Sequence, residues 1–361
     1  MSTWDRLAPL PVEIESYDLD GRELAFGEQF TRHTTVITLH GGGDDGVGED
    51  VVYDGEDHFA MREAGPNLPI SGSWTIGSLS DHLAELDLFP TRPPEREDYR
   101  LYRRWAFESA ALDLALRQAG RALPEQLERE LQPLNYVVSM RLGGLPAPGQ
   151  APEPETSERM MSVLERYPGT RFKLDPTNTW SDELIAELAA TGAVDSLDLK
   201  GQYKGTPVDV ATDPKLYAKL VEAFPDAWLE DPDINEDTRP ILEPHRDRIT
   251  WDAPIHSVDD ILALEWKPRT VNIKPSRVGS LVELCRAYDF CAEEGIGAYG
   301  GGQTELAVGR DHIQYLAALF HPDTPNDVAP AGFNHPQVAD GLPESPMELR
   351  PARTGFRVDH S

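Results

Sequence analysis

"RFKLDPTNTWSDELIAELAATGAVDSLDLK", residues 171–200, is the stretch on which the fold turns. "TRFKLD" is a short apolar run that stops on a charge. "SDELIAELAATG" opens on a serine followed by acids, keeps apolar residues at helical spacing and stops at a glycine. "SLDLK" is a second short run, again ending on charges. Strand, helix and strand in this order make one strand–helix unit of a parallel α/β sheet.

The same rhythm extends in both directions. From about residue 135, strands are expected at "NYVVSMRL", "TRFKLD", "SLDLK", "AWLED", "ITWDA", "TVNIK", "GIGAYG" and "NDVAPAG", with helical segments such as "SLVELCRAYDFCAEEG" between them. Eight such units predict a (β/α)8 barrel, whose chemistry sits at the carboxyl ends of its strands. The proline-rich "LPAPGQAPEPET" after the first strand reads as a surface excursion. The chain of 361 residues is long for one domain, and its first third reads as a small mixed lobe. There "PVEIESYDL" alternates like a strand, "TTVITLH" is a second strand, "GGGDDGVGE" turns into "DVVYD", and residues 103–120 form an amphipathic helix stopped by Gly120. The run His40-Gly41-Gly42-Gly43 imitates an esterase oxyanion loop, but the chain has no Gly-x-Ser-x-Gly, so a turn is the better reading. The last stretch lacks barrel periodicity and is expected to return to the first lobe.

Charge narrows the partners. The formal net charge is −30, from 63 acidic and 33 basic residues, which argues against nucleic acid and anionic membrane. No apolar stretch of about 18 residues and no signal peptide is visible, so the protein is expected in the cytoplasm. Cys285 and Cys291 lie in one helical pattern and read as packing groups. Only seven of the basic residues are lysine, and none precedes Lys173. An acidic surface with arginine largely replacing lysine fits a high-salt cytoplasm as well as a moderately acidic protein of an ordinary cell.

The scarcity of lysine makes its placement informative. Charges stand at the strand ends as Lys173 and Asp175, Asp198 and Lys200, Glu230, Asp252 and Lys274. From Asp198 onward the successive spacings of the last four positions are 32, 22 and 22 residues, each about one strand–helix unit, so these groups converge on one mouth. One strand-end carboxylate is usually a cap or a salt-bridge member. Three on consecutive strands repel one another and call for a cation, and all-oxygen ligation favours Mg²⁺. Lys274, one strand further on, would have its ammonium disfavoured by that ion and could then remove a proton α to a carboxylate.

At this point the sequence resembles the enolase superfamily, in its muconate-lactonizing and mandelate-racemase-like branches. The resemblance rests on an ordered set spread over most of the chain: "GVGEDVVYD", "FESAALDLALRQAG", "FKLD", "SLDLKG", "WLEDP", "ITWDAPIHS", "VNIKPSRVG" and "ARTGFRVD". It implies an N-terminal α+β capping domain (1–130), a modified (β/α)8 TIM barrel (131–335) and a C-terminal segment (336–361) completing the cap. It further implies that Asp198, Glu230 and Asp252 hold Mg²⁺ and that Lys274 is the acid/base lysine; the pairing of a lysine base with Mg²⁺ is a known trait of this superfamily. Many relatives carry Lys-x-Lys on the second strand. Here Lys173 matches the first lysine and Asp175 replaces the second, either as an unusual acid/base group or as a structural carboxylate, with Ser181 the more obvious cap of the following helix. Taking Asp175 as the first metal ligand would leave "SLDLKG" a surplus strand.

The implied activity is that of a lyase or isomerase forming a metal-stabilised enediolate from a small carboxylate substrate: a cycloisomerase, a one-base dehydratase of the o-succinylbenzoate-synthase kind, or an epimerase. The seventh strand has no histidine, which disfavours His-Asp dyad dehydration. Gln303 and Glu305 after it face either the ligand or the loop's own helix. Lys200 either pairs with a neighbouring carboxylate or meets an anionic substrate. Capping segments 22–34 and 49–58 are expected to set selectivity. The alternative from another class is a non-catalytic carboxylate- or metal-binding barrel. A homo-oligomer is compatible with the chain, which does not specify its oligomeric state.

Overall fold

The computed structural model describes residues 1–26, 30–143, 154–206, 208–335 and 338–360. The lobe at the amino end is built on an antiparallel meander of β2 (Ser16–Ala25), β3 (Thr31–Gly41) and β4 (Asp44–Asp50), preceded by β1 (Pro11–Ile14). Gly42 and Gly43 join β3 to β4 with φ of 60° and 83°, the two-residue turn that matches strand twist, so the "HGGG" run is a hairpin turn. β4 lies against α1 (Tyr99–Gln118), and the contact explains "GVGE". A Cβ on Gly46 would stand 2.2 Å from the carbonyl of Ala110, and one on Gly48 2.0 Å from that of Ala106. The helix buries almost its whole circumference from Trp105 to Leu116 and starts one turn before the expected Arg103.

Two readings of this lobe need correction. "PVEIESYDL" is two strands: β1 pairs with β5 (Gly72–Thr75), while β2 pairs with β3. Buried positions change parity between them, from Val12 and Ile14 to Tyr17. "DVVYD" contributes only its first residue to β4 and then leaves the sheet. The C-terminal segment packs against α1: Asp113 accepts from the Phe356 N–H and the Arg357 Nε, each at 2.7 Å.

The larger part is α/β. A five-stranded parallel sheet runs in the order β10 (Ile249–Thr250), β9 (Trp228–Glu230), β8 (Val194–Asp198), β7 (Phe172–Leu174), β6 (Val138–Met140). β11 (Thr270–Ile273) pairs in parallel with β12 (Gly297–Gly300). The Asn272 N–H donates to the Trp251 carbonyl (2.9 Å), connecting β11 to the segment after β10. The expected eighth strand, "NDVAPAG", forms only single bridges, Asp327 with Gly301 and Asn326 with Tyr136, and then turns at Pro330 into a 3₁₀ segment. Proline lacks the N–H that would continue a ladder. Residues 144–153, most of the proline-rich excursion, lie outside the described residues. Cys285 and Cys291 are free and buried on α2 (Leu281–Glu294). No helix among the described residues is long and apolar enough to cross a membrane.

Candidate active site

Parallel strand register places the acidic residues. Asp198 and Glu230 end β8 and β9 and are direct partners in the ladder. Thr250 of β10 is the partner of Glu230, and Asp252 follows two residues later. All three side chains are fully buried, and each offers a carboxylate oxygen within 4.8 Å of the others. Such a cluster must be neutralised, and strand ends on both sides supply the charge.

Lys173 of β7 reaches Glu230 directly and lies 3.3 Å from Asp198 and 3.4 Å from Asp327. Lys200 donates to Asp198 at 2.5 Å and stands 3.4 Å from Asp175. Its backbone φ of +55° is unusual for a side-chain-bearing residue and turns it back over Asp198. Lys274, after β11, donates to Asp252 Oδ2 at 2.8 Å, while Arg277 donates to Oδ1 at 2.5 Å. Two phenols complete the set: Tyr203 donates to Asp252 (2.8 Å) and Tyr299 to Glu230 (2.6 Å).

Electrostatics separates the acids. Burial alone would push the Asp198 carboxyl up, but the Lys200 and Lys173 ammonium groups pull it to about 2. Asp252 is likewise held far below the usual carboxylate range, against its burial, by Arg277 and Lys274. Glu230 goes the other way: burial and its acidic neighbours raise it despite Lys173. Asp231 accepts the backbone N–H groups of Asp252 and Ala253, yet burial beside Asp252 and Asp198 brings it up to about 7. The acids Asp175, Asp198, Glu230, Asp231, Asp252 and Asp327 outnumber the cations Lys173, Lys200, Lys274 and Arg277 by six to four, and the surplus falls on the acids that burial raises, Glu230, Asp231 and Asp175. That surplus of acids and the hard oxygen donors of Asp198, Glu230 and Asp252 fit a divalent ion.

The structure thus brings together Lys173, Asp198, Glu230, Asp252 and Lys274 as the spacing implied. Asp175 sits at the rim, two residues beyond Lys173. Ser181 caps the next helix, accepting from the Leu184 N–H, so Asp175 is not that cap. Burial raises the Asp175 carboxyl against the pull of Lys200, and its Oδ1 has no hydrogen-bond partner. Lys200 pairs with carboxylates. Glu305 accepts from the Gln303 N–H (2.6 Å) and pairs with Arg310, and Gln303 donates to the Tyr102 hydroxyl (3.0 Å), so both organise the loop after β12.

The first lobe grips the same loop. Arg32 of β3 donates to the carbonyls of Gln303 and Thr304, and Glu49 accepts from the N–H groups of Leu306 and Gly309. Residues 27–29 of the expected selectivity segment lie outside the described residues. Sequence reasoning missed Arg277, Tyr203, Tyr299, Asp231 and Asp327. Arg277 had a signal, three residues after Lys274 inside "NIKPSRVG".

Comparison with known proteins agrees with this geometry. Residues 5–126 and 130–335 match the N-terminal and C-terminal domains of the domain of unknown function DUF8230. An o-succinylbenzoate synthase from Geobacillus stearothermophilus is 28% identical over 235 residues, covering 62% of this chain; the chain spans only 58% of that relative's length. A dipeptide epimerase from Methylococcus capsulatus, solved with a Mg ion, superposes with a TM-score of 0.68 at 19% identity, over 97% of this chain and all of that one. An enolase-superfamily member from Listeria innocua gives 0.61 at 19% identity, over 89% and 86%. At these identities the two structures speak for the fold.

Proposed function

The chain belongs to the DUF8230 family and is a divergent member of the enolase superfamily, and from that premise we propose that it is a Mg²⁺-dependent lyase or isomerase acting on a small carboxylate. The observation that carries the proposal is the buried triad on three successive strand ends with the lysine of the next strand hydrogen-bonded to its third member. We read β6–β12 and the bridged segment at 326–327 as a modified (β/α)8 barrel, capped by residues 1–130 with the tail 336–361.

Asp198, Glu230 and Asp252 are assigned to hold the metal. When bound, Mg²⁺ supplies positive charge beside the substrate carboxylate while the adjacent carbon gives up its proton. Lys274 is assigned as the group that takes this proton, and its bond to Asp252 fixes its position before substrate arrives. Tyr203 and Arg277 leave Asp252 little freedom to turn, which preserves that aim. In an eight-stranded barrel the second and sixth strands lie opposite, so Asp175 and Lys274 flank the substrate from two sides. Lys173, held by three carboxylates, keeps its proton and serves as a fixed positive charge; burial opposes this, but Glu230, Asp198 and Asp327 raise its pKa well above the ordinary value. Asp175 is assigned as the second proton-transfer group.

The reading is tested by calorimetry and proton exchange together. Alanine at Asp198, Glu230 or Asp252 should weaken Mg²⁺ binding with the fold retained. Dipeptides and N-acyl amino acids in D₂O should show Mg²⁺-dependent exchange at the α-carbon, and Lys274→Ala should slow it by about 10²–10⁴-fold with metal affinity nearly unchanged. Mg²⁺ and acid binding without any exchange would replace the enzyme by a carboxylate-binding barrel.

A further inference from the structure

The loop Gly301–Ala307, between β12 and the helix Val308–Phe320, runs past Lys274. A Cβ on Gly301 would stand 2.6 Å from Lys274 Cε, so the loop backbone is the wall against which that side chain lies. Three residues further on, Thr304 holds φ of +56°. Left-handed backbone is unfavourable for a β-branched residue and persists only where the surroundings impose it. Here the first lobe imposes it.

Arg32 of β3 supplies the hold at one end. It is fully buried, and its five N–H donors each find a backbone carbonyl: His33, Val51 and Val52 in its own lobe, Gln303 and Thr304 in the loop. The guanidinium thus rivets the loop to two segments of the lobe, and the strained residue is itself one of its acceptors. Glu49 of β4 holds the other end, accepting from the N–H groups of Leu306, Ala307 and Gly309. From α1 the Tyr102 hydroxyl accepts from Gln303 Nε2 (3.0 Å) and neighbours the Arg277 guanidinium, which donates to Asp252, the partner of Lys274. The lobe therefore reaches the lysine by two routes, through the loop wall and through Asp252.

We propose that Arg32 is a positioning residue for Lys274: it holds Thr304 in its strained conformation and so keeps the loop against the lysine. This rests on the reading of Lys274 as the base. A lysine in place of Arg32 carries three donors on one nitrogen and cannot span both sets of carbonyls. Thr304 then relaxes, the loop draws back, and Lys274 Nζ leaves the place that Asp252 fixes. Glycine at position 304 removes the reason to relax, since it adopts positive φ without a steric penalty.

The experiment uses the full chain with Mg²⁺ and three variants: Arg32→Lys, Thr304→Gly and the two combined. In Arg32→Lys, α-proton exchange of dipeptides and N-acyl amino acids should fall by about 10-fold or more through kcat, with KM and Mg²⁺ affinity within about 2-fold. Amide hydrogen exchange of residues 303–309 should speed up in the same variant. In the Thr304→Gly background the Arg32→Lys change should cost no more than about 3-fold. A melting temperature lowered at unchanged kcat is the mark of a merely structural arginine and overturns the proposal, as does an equal loss in both backgrounds. Thr304→Gly alone serves if Arg32→Lys does not fold: its melting temperature should hold or rise, and a fall means that no strain is held there and overturns the proposal. The enzyme reading is judged separately. α-Proton exchange that Arg32→Lys leaves untouched removes the positioning role and keeps that reading. A crystal structure of Arg32→Lys with the loop withdrawn and Lys274 parted from Asp252, in a protein that exchanges none of these acids, does the reverse.

Discussion

Gly301→Ala should disable the site while leaving the protein folded. Gly301 follows β12 and faces Lys274: a Cβ built there would lie 2.6 Å from Lys274 Cε and 2.9 Å from Asn272 Nδ2. Carbon atoms rest at about 3.5–4.0 Å, so the lysine end must move by roughly 1 Å. Gly301 is not among the glycines of positive φ, so alanine fits the backbone and the conflict is confined to side chains. The yielding atom is the far end of a flexible chain, which keeps the stability loss near the low end of the about 1–3 kcal/mol typical of overpacking. The same movement draws Nζ from Asp252 Oδ2, now 2.8 Å away. A misplacement of about 1 Å can cost about 10²-fold in rate. Exchange at the α-carbon, measured by NMR in D₂O, should fall by that order, with Mg²⁺ affinity within about 2-fold of the unaltered protein. A crystal structure of the variant should show the lengthened Lys274–Asp252 contact. Normal exchange with Lys274 displaced would remove it as the base, and an equal loss of Mg²⁺ affinity would mean that the triad, not the lysine, had been disturbed.

Two further outcomes are expected. Asp175→Asn should lower exchange by about 10²-fold or more with a small change in melting temperature, because its helix is already capped by Ser181; a large stability loss at normal rate would make the carboxylate only a partner of Lys200. Acid should destabilise the fold through His312, whose imidazole, stacked on Phe356 of the C-terminal segment at 4.1 Å, is pulled down to about 3 by burial and by the nearby Arg357 charge. With the folded value below the ordinary 6.5, the unfolded chain binds the extra proton, so this contribution is complete above about pH 6.5 and declines as pH falls toward 3. At about pH 5 the loss is about 2 kcal/mol. Urea unfolding of His312→Phe should show that much less difference between about pH 7.5 and pH 5, and identical pH dependence in both proteins would refute the argument.

What could be read from the sequence follows from how a parallel sheet buries its strands. Both faces are covered, so each strand is a short apolar run, and a charge at its end stands out against that background. Asp198, Glu230, Asp252 and Lys274 were visible for this reason, and their spacing carried the order of the strands. The lobe boundary strands were harder. "PVEIESYDL" alternates well enough to pass for one strand, and only the parity change after Ile14 marks the passage from one sheet to another. "NDVAPAG" looked like a strand because it is apolar, whereas Pro330 ends its backbone pairing.

The groups that tune the acids were hidden for a different reason. Tyr299 in "GIGAYG" reads as core packing, since nothing local tells which face of a strand meets a carboxylate and which meets a helix. Its phenol becomes a donor only because β12 lies where it can reach Glu230 on β9. Tyr203 reaches Asp252 across 49 residues and Asp327 meets Lys173 from the far end of the chain. Arg141 shows the limit most clearly. In sequence it is an ordinary arginine after an apolar run, in a chain where arginine is the common cation. Only the fold shows that its Nε and Nη1 are buried without an acceptor among the described residues, while the cations on the neighbouring strand ends rest on carboxylates, because pairing is decided by which strands come to lie side by side and not by the residues next to it in sequence.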